Sequence, residues 1–188
     1  MTEGRSQVQE IYDRLIQNSH GLRNDHLLAS MLASQLAGVG AMPSRLGLMP
    51  DAYEVMMQLH FSGAELPHSY MADMTMETDR LPEQDELRML LLSHRNDPSA
   101  EGEWMAQIVV MGCMGGDHLW QDLGLWSRKD LSQLMQENFT ALAAKNDRDM
   151  KWKKFLYKQL CIAEGIYVCR SPSCEVCPDY AACFGPED

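Results

Sequence analysis

A chain of 188 residues fits one compact domain, and its 45% apolar content is enough for a core that needs no metal to hold it together. A net charge of −11 and a pI near 4.9 argue against nucleic acid or an anionic membrane surface as partner. No apolar run approaches the ~20 residues of a membrane span, and Met1–Ser6 lacks the apolar core of a secretory signal, so a cytoplasmic protein is expected. In a reducing compartment six cysteines point to metal binding before disulfides. The 15 methionines are read as adaptable core filling.

Taken in chain order, the sequence predicts helix after helix. Val8, Ile11, Tyr12, Leu15 and Ile16 fall at helical spacing, and a second segment runs from about His26 to Leu36 before Gly38-Val39-Gly40 and Pro43. Asp51-Ala52-Tyr53-Glu54 has the form of a helix start, followed by Val55, Met56 and Leu59. Residues 62–79 have no clear period; Met71, Met74 and Met76 are expected in a loop packed on the body. Pro82 with Glu83, Asp85 and Glu86 opens the next helix, with Leu87, Leu90 and Leu91 inward and Asn96-Asp97-Pro98 closing it. Trp104, Ile108 and Met111 mark another that stops near Gly115-Gly116, with Cys113 a small buried hydrophobe. Ser127 caps a stripe of Leu131, Leu134, Met135, Phe139 and Leu142. Trp104, Trp120, Trp126 and Trp152 are assigned to the core or its edge. The expected fold is all-α: a bundle-like helical body over residues 1–165, with a C-terminal cysteine-rich loop over 166–188 packed on it as part of one domain.

The last helix is predicted from an Asp147 cap to about Glu164, with Gly165 as its stop. Trp152, Phe155, Leu156, Gln159, Leu160 and Ala163 share one face; Lys154, Lys158 and Cys161 point the other way. Residues 145–170 carry seven bases against three acids in an otherwise acidic chain. Such a run is either a solvated face or a positive lining beside an anionic cluster or an incoming oxyanion.

That helix leads into Cys169, Cys174, Cys177 and Cys183, a C-x4-C-x2-C-x5-C pattern interrupted by Pro172 and Pro178. Proline presets turns, so the chain can curl around a central object. Thiolates select zinc, copper(I) and iron–sulfur clusters over hard cations. Structural zinc usually takes two close pairs of ligands. This segment has one close pair between wider gaps, and its first three cysteines repeat the opening of one ferredoxin class. The spacing favours a cluster, with zinc as the competitor and disulfides behind both.

This segment, with residues 150–161 (MKWKKFLYKQLC) and 118–125 (HLWQDLGL), resembles the NifQ family of nitrogen-fixation proteins; the resemblance is specific over about residues 104–185. It implies a molybdenum–iron–sulfur cluster on Cys169, Cys174, Cys177 and Cys183. It also implies delivery of molybdenum for the nitrogenase iron–molybdenum cofactor, in company with the iron protein NifH and the scaffold NifEN. Molybdate is the expected metal source.

Two residues outside the four cysteines are candidates for metal support. His118, after the Gly115-Gly116 break and Asp117, can offer nitrogen to the heterometal or support a thiolate; the alternative is an Asp117 helix cap beside an ordinary histidine. Cys161, near Lys154 and Lys158, can act as a transient ligand because neighbouring ammonium groups favour thiolate. The other histidines (His20, His26, His60, His68 and His94) are scattered, and neither a nucleophile triad, a phosphate loop nor a dinucleotide fingerprint is found. A metallocluster carrier, not an enzyme, is therefore expected. An iron–sulfur electron-transfer protein and a zinc-stabilised interaction module are the other possibilities.

Overall fold

A computed structural model describes residues 2–66, 81–163, 165 and 180–187, and among these every regular element is a helix. Cys169, Cys174 and Cys177 lie outside the described residues, as do Met71, Met74 and Met76. The helices are α1 (Thr2–Gln17), α2 (Asp25–Leu36), α3 (Pro50–His60), α4 (Leu81–Ser93), α5 (Ala100–Cys113), α6 (Leu119–Asp122), α7 (Arg128–Asn138), α8 (Thr140–Ala143), α9 (Trp152–Ala163) and α10 (Tyr180–Phe184). No helix among them is long and apolar enough to cross a membrane.

The core is built on α2 and α5. Leu27, Leu28, Met31, Leu32 and Leu36 of α2 and Trp104, Met105, Ile108, Val109, Val110 and Met111 of α5 are all buried. A helix apolar on every side belongs inside. α1 lies against α2, with Ile11 and Leu15 buried; α4 lies against α5 through Leu87 and Leu91. Cys113 is buried at 2% exposure, as its apolar neighbours imply.

Several boundaries depart from the sequence expectation, each for a local reason. α3 begins at Pro50, because proline lacks the N–H that the first helical position leaves unused; Asp51 falls inside the first turn. Val55 and Leu59 stay exposed there while Met56 is fully buried. The stripe behind Ser127 breaks at Phe139 (φ −138°, ψ 50°) into α7 and α8, although Ser127 does accept the Asp130 N–H at 3.2 Å. Asp147 caps nothing. Asn146 brackets Met150 with two hydrogen bonds of 2.8 and 2.9 Å, Asp149 turns the chain at φ 55°, and α9 starts only at Trp152. Trp126 is 45% exposed, its ring 4.6 Å from that of Tyr12.

Glycines set how closely α6 can approach. A Cβ on Gly40 (φ +85°) would stand 2.9 Å from the Gln121 carbonyl oxygen and 3.0 Å from that of Asp122, and one on Gly115 would meet the Asp122 carboxylate at 2.3 Å. Ser34 in α2 donates its hydroxyl to the Gly124 carbonyl at 2.6 Å. The short α6 is thereby wedged between the ends of α2 and α5.

Candidate metal centre

From α6 a chain of polar contacts runs to α9. Asp122, 2% exposed, takes the Asp117 N–H at 3.0 Å and the Lys153 ammonium, which also donates to the Gly115 carbonyl at 2.8 Å. A buried carboxylate needs a partner, so this ion pair ties the first turn of α9 to α6. The hydrophobic anchor beside it is Trp152, Phe155 and Leu156, all buried, with the Trp152 and Phe155 rings edge to face at 5.7 Å. Further along, the expected apolar face fades. Gln159 and Leu160 are half-buried, and Ala163 is exposed.

The start of α9 in turn holds the residues around Cys183. The Lys151 N–H donates to the Cys183 carbonyl at 2.8 Å, and the Lys151 ammonium reaches the Ala181 carbonyl at 3.3 Å. Tyr180 and Phe184 stack at 4.7 Å, and the Gly185 N–H closes the turn on Ala181 at 2.9 Å. Cys183 is half-buried with a free thiol. Of the four cysteines of the C-x4-C-x2-C-x5-C pattern, it is the one within the described residues.

Beyond it, Glu187 turns back into the body. Its side chain is 4% exposed, with Oε2 3.2 Å from Arg128 Nε and Oε1 3.6 Å from His118 Nδ1. Arg128 also binds the Asp149 carboxylate and donates to the Asp149 carbonyl at 3.1 Å. The Asp149 hydrogen bond first, then the charges of Asp149 and Glu187, push the Arg128 guanidinium up from its ordinary value against the opposing effect of its partial burial. His118 is therefore brought to the chain that follows Cys183, through Glu187. The N-cap of α6 is His118 itself, not Asp117, and the His118 N–H donates to Gln121 Oε1 at 3.2 Å.

Two cavities flank α10. The first, about 290 Å³, has His118, Lys151, Lys153, Lys154, Ala182 and Glu187 among its lining residues. The second, about 150 Å³, takes in Lys145, Arg148, Lys158 and Phe184. Lys154 and Lys158, expected as one strip, thus look into different cavities on either side of the Cys183 helix. Cys161 is half-buried in the last turns of α9. Among the described residues no three His, Cys, Asp or Glu side chains converge to hold a metal ion.

Sequence reasoning missed Glu187 and Arg128 in this arrangement, and it missed Asp122 as the anchor of Lys153. The signal for Lys153 is weak but present, since a buried acid in a short glycine-flanked helix calls for a cation. Nothing local couples Arg128 to Glu187.

The NifQ family model matches residues 27–185. The chain is 45% identical over 177 residues to Protein NifQ of Azotobacter vinelandii, covering 88% of this chain and 90% of that one. It is 36% identical over 161 residues to Protein NifQ of Rhodobacter capsulatus (86% and 87% covered) and 33% identical over 160 residues to that of Klebsiella pneumoniae (79% and 90%). No solved structure matches.

Proposed function

Since the chain belongs to the NifQ family of nitrogen-fixation proteins, we propose that it carries a molybdenum–iron–sulfur cluster as cargo on Cys169, Cys174, Cys177 and Cys183 and donates molybdenum for the nitrogenase iron–molybdenum cofactor. The observation that carries this is the extent of the family match, which takes in the whole C-x4-C-x2-C-x5-C segment. Four soft thiolates suit such a cluster. Cys183, half-buried with a free thiol beside the first turn of α9, fits a ligand that must both hold metal and release it. The protein acts as a carrier without turnover, in company with the cofactor-assembly proteins NifH and NifEN.

Molybdate, the metal source in this proposal, approaches a chain of net charge −11. The cations lining the cavities on both sides of α10 offset that repulsion where it matters, next to Cys183.

The test is element analysis and visible spectroscopy of protein purified without oxygen, with each of the four cysteines changed to Ala in turn. Iron, sulfide and molybdenum together, lost in each variant while helical circular dichroism persists, support the proposal. Iron and sulfide without molybdenum point to electron transfer, and zinc alone points to an interaction module. Loss of helix in step with loss of metal assigns the metal a structural role instead.

A further inference from the structure

We infer that Arg128 and Glu187 form a clasp that positions Cys183, so that a guanidinium on α7, itself no metal ligand, sets where this thiol stands. The inference rests on Cys183 being a cluster ligand, as proposed above.

Burying Glu187 carries a cost. A carboxylate withdrawn from water is strongly disfavoured unless a cation meets it. Its side chain is 4% exposed, and Arg128 Nε stands 3.2 Å from one oxygen while His118 Nδ1 stands 3.6 Å from the other. The tail is seated there because the Arg128 cation meets Glu187 and the His118 ring lies beside it. Seating it fixes the short α10 at its C-terminal side, just as the 2.8 Å bond from the Lys151 N–H to the Cys183 carbonyl fixes it at α9. A five-residue helix has little stability of its own, so its position is set by such tethers.

Arg128 controls both tethers. With one part of its guanidinium it holds Glu187; with the rest it holds the Asp149 carboxylate and carbonyl. Asp149, with φ 55°, lies in the turn that presents Lys151. Planar and multiply donating, an arginine can serve both at once; a lysine could not. The backbone that carries Cys183 is thus referred, through one side chain, to the rigid first turn of α7.

The test measures the full-length, metal-free protein under reducing conditions. The iodoacetamide alkylation rate of Cys183 is resolved by peptide mass spectrometry, with Cys161 and Cys113 as internal references, in the parent, Glu187→Gln and Arg128→Gln. The two substitutions have opposite effects on local charge. Neutralising Glu187 favours thiolate and would raise the rate; neutralising Arg128 would lower it. If the pair acts by position, both variants raise Cys183 reactivity, by about fivefold, because each opens the same contact. Rates that move in opposite directions, or not at all, overturn the inference. So does an equal rise at all three cysteines, which would mean general loosening. A second measurement ties the clasp to the cargo: iron release to a chelator, without oxygen, should be faster in both variants than in the parent. Unchanged iron release beside raised alkylation would show that the clasp does not serve the cluster. Because alkylation reads Cys183 without any metal, failure of the clasp and failure of the cluster proposal are told apart.

Discussion

His60 Nδ1 lies 2.7 Å from Asp25 Oδ1, with the two side chains at 0% and 2% exposure. The pair joins the last turn of α3 to the first turn of α2. Around it the Asn24 and Asn138 amides exchange hydrogen bonds of 3.0 Å in both directions, and Asn24 also donates to Glu101 at 2.6 Å. Ends of α2, α3, α5 and α7 meet at this one buried polar point. The Leu22 N–H donates to the other Asp25 oxygen at 2.8 Å.

His60→Ala should therefore be among the most damaging single changes in the body. It leaves Asp25 buried with one remaining donor to its side chain, a loss of about 1–3 kcal/mol for a buried acceptor stripped of its partner. Urea unfolding followed by helical circular dichroism measures it. A loss below about 1 kcal/mol would mean that water reaches Asp25, and the pair would then be a surface contact in energetic terms.

Lys154 and Lys158 look into separate cavities on the two sides of α10. Changing both to Gln should slow molybdenum loading from molybdate more than iron loading, with each single change giving part of the effect. The defect should be largest at low ionic strength, since salt screens exposed charges over ~10 Å at 0.1 M. Time courses of both metals at low and high salt check this. Molybdenum incorporation equal to the parent at both would reduce the cavities to solvated surface.

Asp97 accepts the N–H of Ser99, the N-cap of α5, at 2.8 Å. The backbone and side-chain hydrogen bonds from Ser99 hold its carboxyl below the usual carboxylate range. A depressed folded-state value means that this contribution is present above the ordinary carboxylate range and is lost as pH falls through the depressed value. Asp97→Asn keeps an acceptor oxygen but removes the titration. The stability difference between parent and variant, read from thermal midpoints between about pH 6 and about pH 2.5, should narrow on acidification. A constant difference would assign the pH dependence to other carboxylates.

Helical content was legible from the sequence because its signals are local. Apolar spacing in α1 and α4, and the Ser127 cap of α7, depend on residues within a turn or two of one another, and the structure has helices there. The cysteine spacing and the basic character of α9 were legible for the same reason, since both are written in contiguous residues. Where the start of α9 slipped, a competing local contact outweighed the expected cap. Asn146, by bracketing Met150, moved the start of α9 away from Asp147. The far half of its apolar face stayed partly open because packing did not follow it.

Tertiary structure alone decided the pairings. His60 and Asp25 are 35 positions apart, and Asn24 and Asn138 are 114 apart. In sequence each is an unremarkable polar residue, and His60 in particular matched no motif. Arg128 and Glu187 likewise give no local sign of each other, and His118 comes to the tail of Cys183 only because α6 is wedged in place by Gly40 and Gly115. The physical reason is that a hydrogen bond or ion pair is favourable only after the helices have brought its partners out of water together. Its existence depends on the packed arrangement, which no window of neighbouring residues contains.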